Sequence, residues 1–269
     1  MRRRAFLSLL SAGSAAPAWF RYGEPHWFEV TRTRVEMAVR ARRILHVSDL
    51  HVSDGMTAEE LEEGLKAGLA MRPDLICLTG DFVSDTSGFD EAGLVRMLRR
   101  ASATAPCYAV LGNHDGGAWL ARHGGSGSTA RIGDIVARSG VALLRNEAVV
   151  EGGLNIVGLE DLWGGAFDAE RAFGGLSGGE STVVLCHNPD GKERMRHLPW
   201  QLMLSGHTHG GQGQIPGLKP LWAPVRDKRF ISGLHPWAGR KLFITRGLGS
   251  PKHVRAFCRP ELSLLEVGT

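Results

Sequence analysis

Five apolar runs in this chain each stop at Asp, Asn or His, and a fold that buries the runs must bring their polar ends to its surface. The runs are "RILHVSDLH" (43–51), "LICLTGD" (75–81), "CYAVLGNHD" (107–115), "VVLCHN" (183–188) and "LMLSGHTH" (202–209). Helix-type segments lie between the first three. "TAEELEEGLKAGLAMR" (57–72) offers a Thr cap, an acidic first turn and helical apolar spacing, and 89–100 has the same periodicity. The resulting β-α-β-α-β rhythm predicts a sheet of parallel strands with helices outside. Further strands are expected at 34–39, within 141–161 and in the closing runs "RKLFITRGLGS" and "ELSLLEVG". No repeat and no long linker interrupts this order. Residues 1–18 read as a leader, 19–29 as a leader-proximal segment and 30–269 as one domain.

Ligands of open α/β sheets gather at the carboxyl ends of the strands. Convergence of the five ends would assemble Asp49, His51, Asp81, Asn113, His187, His207 and His209, all nitrogen or oxygen donors. Such a set suits Zn, Mn or Fe and disfavours Ca, which takes oxygen alone. Asp49 and His51 are two residues apart and would project to one side in extended backbone, as would His207 and His209. If Asp81 bridges, these side chains suffice for two ions with room for solvent. Taken singly, Asp-x-His, Gly-Asp or Gly-Asn-His-Asp after a strand reads as an ordinary turn. Five such ends in succession do not. Glycine is abundant, 36 of 269 residues against a usual share of roughly 7%. It crowds around Gly206-His207-Thr208-His209-Gly210-Gly211, where bare backbone permits sharp turns.

The order Asp49-x-His51, Gly80-Asp81, Gly112-Asn113-His114-Asp115, His187 and Gly206-His207-Thr208-His209 resembles the calcineurin-like metallophosphoesterase superfamily, with every block present. The resemblance implies a four-layer αββα sandwich, two mixed β-sheets packed together with helices on both outer faces. It implies two divalent ions, one held by Asp49, His51, Asp81 and His209, the other by Asp81, Asn113, His187 and His207. More narrowly, "CHNPD", "SGHTHGGQ" and "RGLGSPKHVRAFCRPELSLLEV" are similar to a bacterial branch of exported or membrane-associated phosphodiesterases, some of whose members resemble UDP-2,3-diacylglucosamine pyrophosphatases.

The implied reaction is hydrolysis of a phosphodiester or pyrophosphate by a hydroxide shared between two ions. Two divalent ions, two carboxylates and one hydroxide leave one positive charge, which a singly charged diester neutralises and a dianionic monoester exceeds. His114 is the expected general acid, with Asp115 orienting it and keeping it protonated. Arg246 is a candidate phosphate contact, and Trp119, Trp163 and Trp222 are candidates to line an apolar pocket. Arg226–Arg229 reads as a solvated loop, and His46 as a core residue. A phosphomonoesterase or nucleotidase on the same fold is the alternative activity, and a catalytically silent metal-binding protein the alternative class.

The net charge is +4, but Arg2, Arg3 and Arg4 supply three of those units. The remainder is nearly neutral, so no nucleic-acid partner is expected. The first residues, "MRRRAFLSLLSAGSAAPAWF", combine a basic start, a modest apolar run and a small-x-small end. Arg3-Arg4-Ala5-Phe6-Leu7 resembles a twin-arginine export signal. The expectation is an exported protein, periplasmic or on the outer face of the cytoplasmic membrane, with an uncleaved anchor as the other reading. Cys77, Cys107, Cys186 and Cys258 form no close pair, and buried free thiols are expected.

Overall fold

Every residue of the strand Leu75–Thr79 is buried. Because successive side chains alternate across a strand, Leu75 and Cys77 join one core while Ile76 and Leu78 join another. A strand covered on both faces reads as an unbroken apolar run, which is why the sequence rhythm was legible here. The structure, a computed structural model, describes residues 15–176, 180–213 and 223–269.

The first sheet contains β1 (Glu29–Glu36), β2 (Arg42–Val47), β3 (Leu75–Thr79), β4 (Cys107–Val110), β5 (Ala142–Leu143) and β12 (Glu261–Gly268). Its order is β1-β12-β2-β3-β4-β5, with only the β12–β2 pair antiparallel. The second contains β6 (Glu147–Glu151), β7 (Leu154–Gly158), β8 (Ser181–Leu185), β9 (Leu202–Ser205), β10 (Gly233–Trp237) and β11 (Arg240–Ile244). Its order is β10-β11-β9-β8-β7-β6, parallel in the middle and antiparallel at both edges.

Ile44, Leu75, Val110, Ile156, Val183, Leu204 and Phe243 pack between the sheets. On the outer face of the first sheet, Leu45, Ile76 and Leu78 meet Leu61 and Leu65 of one helix, Leu94 and Leu98 of a second and Ile132 and Val136 of a third. The opposite face, with Val184, Met203 and Leu242, is covered by the short helix Ala169–Phe173 and by Met195, Trp200 and Phe230. Helix, sheet, sheet, helix is the predicted four-layer sandwich.

The helix expected over 57–72 spans Ala58–Leu69 and starts at a complete capping box, Thr57 with Glu60. It stops early because Arg72 turns left-handed ahead of Pro73. The helix expected over 89–100 spans Glu91–Ser102, capped by Asp90. The helix Ala130–Arg138 was not foreseen. The strand expected at 34–39 runs instead from Glu29 to Glu36, since its register is set by β12, far away in the chain. Residues 19–26 pack against the loop before β12, with Phe20 edge-on to Phe257 at 5.3 Å. All four cysteines are free and buried.

Candidate metal centre and cleft

Strands β2, β3 and β4 of one sheet and β8 and β9 of the other end at the same edge of the sandwich. The loops that follow carry the seven candidate donors, each no more than 6% exposed. Nε2 of His51 and Nε2 of His209 lie 3.1 Å apart. Asp49 Oδ1 is 3.4 Å from His209 Nε2, and Asp81 Oδ2 is 3.5 Å from His51 Nε2. Across Asp81, its Oδ2 is 3.2 Å from His187 Nε2, which also lies 3.2 Å from Asn113 Oδ1 and 3.1 Å from His207 Nδ1. Two donor clusters result, Asp49, His51, Asp81 and His209, and Asp81, His187 and His207, with Asp81 common to both. The first coincides with one implied ligand set. Asn113 completes the second.

The donor chemistry fits a pair of divalent cations. Lone pairs of imidazoles and carboxylates face one another across each cluster, an arrangement that is repulsive unless a cation sits between them. The outer ring atoms are already engaged in the second cluster: His187 Nδ1 donates to the Thr79 carbonyl at 2.7 Å, and His207 Nε2 to the Pro224 carbonyl at 3.1 Å. That fixes the tautomers and turns the other nitrogen inward as a ligand. Burial pulls the imidazoles of His51 and His209 well below their usual range and His207 to about 3, so all three are neutral, the ligating form. Burial pushes Asp49 up to about 6. For Asp81 burial acts upward, but the imidazoles of His187 and His114 hold the carboxyl well below the usual range. Burial opposes the charging of His187, yet Asp81, Asp49 and Asp161 raise it to about 10. A divalent cation would take the place of that proton.

The expectation of extended backbone at the ligand pairs is corrected. Asp49, His51, Asp81, His207 and His209 all have left-handed φ, between 50° and 69°. Asp and His are among the residues that tolerate this region best, at a cost of order 1–3 kcal/mol each. The glycines explain how the loops fit. A Cβ on Gly206 would collide with the Asp49 carboxylate and Ser48, and Gly210, itself left-handed, would meet Arg246 Cγ at 2.6 Å.

His114 lines a cleft of about 690 Å³ together with Asp81, Asn113, Trp119 and Trp163. Its Nδ1 donates to the Ser84 carbonyl at 2.7 Å, and its ring meets His51 edge-on at 4.9 Å. Asp115 is not the partner foreseen for it. The Asp115 carboxylate accepts the main-chain N–H groups of Asp81, Phe82 and Gly112, each at 2.8 Å, and so ties the β3 loop to the β4 loop. Arg246 is also placed elsewhere. Its guanidinium is held by Glu29 and Glu261, outside the cleft lining. Trp163 stands edge-on to His207 at 4.5 Å and Trp119 stacks parallel to it at 6.3 Å. Trp222 lies outside the described residues. His46 is in the core, bonded to Thr79.

Sequence reasoning missed Asp161 and Lys252, and it placed Lys228 in a solvated loop. The lysines line the cleft. Asp161 is buried after β7 and accepts the Trp163 N–H at 2.7 Å, holding the tryptophan loop. Its signal was available, since "IVGLED" is another apolar run ending in acid.

Two Asp/His clusters sharing one carboxylate, at the joined ends of two facing sheets and open to a cleft, define a metal-dependent phosphoester hydrolase. The chain belongs to the calcineurin-like phosphoesterase family, whose sequence profile matches residues 42–211. It is 36% identical to phosphodiesterase YaeI of Escherichia coli (strain K12), over 98% of both chains. It is 30% identical to the metallophosphoesterase YkuE of Bacillus subtilis (strain 168), over 98% of this chain and 96% of that one. To the UDP-2,3-diacylglucosamine pyrophosphatase LpxG of Chlamydia trachomatis it is 27% identical, over 96% and 94% of the two chains.

Proposed function

We propose that the substrate is a phosphodiester or pyrophosphate joined to an apolar group. The observation that carries this reading is the composition of one cleft, which is lined by the Asp/His centre, by Trp119 and Trp163, and by Lys228 and Lys252. When bound, two divalent ions supply Lewis-acid charge and activate water at neutral pH. The protein's own residues orient and enclose the substrate. Asp81 and Asn113 would hold the ions that face the reacting phosphate, His114 presents its Nε2 to the leaving oxygen, and the tryptophans exclude water from a neighbouring apolar chain. The charge balance at the centre favours a singly charged phosphate. Two lysines on the wall favour a second one beside it, as in a pyrophosphate diester.

The reading is tested with bis-p-nitrophenyl phosphate, p-nitrophenyl phosphate, and a nucleoside-diphosphate ester with and without acyl chains. The acylated ester is expected to exceed its acyl-free analogue in kcat/KM by tenfold or more, since each buried CH₂ contributes about 0.8 kcal/mol. Trp163→Ala should shrink that difference. Replacing Lys228 and Lys252 with alanine should raise KM for the nucleoside-diphosphate ester more than for bis-p-nitrophenyl phosphate. Equal rates with and without acyl chains would remove the apolar clause, and preference for the monoester would reverse the reading.

The enzyme is proposed to work outside the cytoplasm, on the strength of the Arg3-Arg4 leader, which lies outside the described residues. Among the described residues no helix is long and apolar enough to cross a membrane. Changing Arg3 and Arg4 to lysine keeps the charge and removes the guanidinium pair that a twin-arginine receptor reads. Fractionation should then find the protein in the cytoplasm; unchanged export would assign it to the general secretory route.

A further inference from the structure

The residues just after the leader end against the same loop that backs His209. Glu24 is 2% exposed, and its carboxylate accepts the main-chain N–H of Phe257 at 3.0 Å and that of Cys258. The Phe20 carbonyl accepts the Arg255 N–H at 2.9 Å. Between these clamps Phe257 is held at φ 55°, a left-handed backbone that a bulky residue rarely adopts. The clamped loop turns Arg255 and Cys258 inward. Cys258 Sγ donates to the His209 carbonyl at 3.1 Å, and Arg255 Nη1 donates to the same oxygen at 3.4 Å. Arg255, fully buried, also donates to the carbonyls of Gly247 and Gly249. The Gly249 N–H in turn donates to the Asp49 carbonyl at 2.7 Å. The Ala256 N–H donates to Gln212 in the turn that follows His209.

We infer that Glu24 is a positioning residue for one half of the metal centre, acting through Arg255 and Cys258 on the main chain of His209 and Asp49. Both are donors of the cluster Asp49, His51, Asp81 and His209. His187 and His207 receive no hydrogen bond from the 255–258 loop; their ring nitrogens are fixed by Thr79 and Pro224. The asymmetry is the substance of the inference. A buried carboxylate on two main-chain N–H groups makes charge-assisted hydrogen bonds, stronger than neutral ones. Without it, the turn at Phe257 loses the restraint that keeps Arg255 beneath His209. The left-handed backbone of His209, φ 50°, then relaxes away from the donor geometry.

The test uses the full chain, wild type and Glu24→Gln, and reads metal binding rather than substrate turnover alone. Its outcome is therefore independent of which phosphoester is hydrolysed. Zn²⁺ is titrated into metal-stripped protein against a chromogenic chelator, total metal is measured by mass spectrometry, and thermal melting is recorded without metal. The expected result is two ions per chain at saturation, one of them bound roughly 10–100-fold more weakly, the usual consequence of losing support behind a ligand. The melting temperature of the metal-stripped variant stays within a few degrees of wild type, and excess Zn²⁺ restores kcat on bis-p-nitrophenyl phosphate. Wild-type affinity for both ions would overturn the inference, as would equal weakening of both with a lowered melting temperature, which marks a mere fold anchor. If Glu24→Gln does not fold, Arg255→Lys replaces it, leaving Glu24 and its two N–H partners in place. The same selective loss is expected there, and its absence overturns the inference equally.

Discussion

Asp81→Asn is expected to strip both ions and remove nearly all turnover while leaving the fold intact. Asp81 is the one side chain common to the two donor clusters, with Oδ2 at 3.5 Å from His51 Nε2 and 3.2 Å from His187 Nε2. Its other oxygen, Oδ1, accepts the His114 N–H at 2.9 Å. An asparagine would keep that hydrogen bond through its amide oxygen. The amide nitrogen would then occupy the Oδ2 position, where it donates and cannot ligate. One substitution thus removes the shared ligand and one of two carboxylate charges, in a site with neutral imidazoles as most of the remaining donors. The main chain at Asp81 and Phe82 stays tied to Asp115, so thermal melting should still show a cooperative transition. Metal analysis should find well under one ion per chain, and phosphodiester turnover should fall to the level of the metal-stripped wild type. Two bound ions with substantial turnover would refute the bridging role.

The candidate site was legible because its signal is local. Each donor follows directly on a buried strand, and a strand covered on both faces is an apolar run that needs no tertiary information to see. Asp49, Asp81 and His187 are recognisable for that reason. What stayed hidden depends on partners distant in sequence. Arg246 stands at a strand end, as a phosphate contact should, yet Glu29, 217 residues away, has claimed its guanidinium. Asp115 adjoins His114 in sequence, which suggested pairing. Its carboxylate instead serves main-chain N–H groups about 30 residues earlier, on the β3 loop. The conformation of the ligand loops was misjudged as well. Spacing by two suggested extended backbone, but short polar side chains also tolerate left-handed φ, and a loop that must fold back over a metal uses it. The strand Glu29–Glu36 was misplaced for the same reason as Arg246, its register being set by β12 across almost the whole chain.

His114→Asn is expected to lower turnover by roughly 10²–10⁴ while both ions stay bound, the usual range for loss of a general acid. A general acid must carry a proton, face the leaving oxygen and be free of the metal. His114 satisfies the geometric conditions. Its Nδ1 is engaged with the Ser84 carbonyl at 2.7 Å, so only Nε2 is available to the cleft it lines. A carbonyl acceptor on Nδ1 also suits the doubly protonated ring, because both nitrogens are then donors. The ring is fixed on two sides, edge-on to His51 at 4.9 Å and tilted against Trp119 at 4.7 Å. It belongs to neither donor cluster. Asparagine can keep a hydrogen bond toward Ser84 but brings no titratable proton to the cleft. The deficit should therefore depend on the leaving group. A p-nitrophenolate needs little protonation and should leave with a small penalty, whereas an alkoxide should show the full loss. Comparing kcat for p-nitrophenyl and alkyl diesters in wild type and variant, with metal content measured alongside, checks this directly. A penalty equal for both leaving groups, or loss of metal in the variant, would assign His114 to the metal centre instead of the departing oxygen.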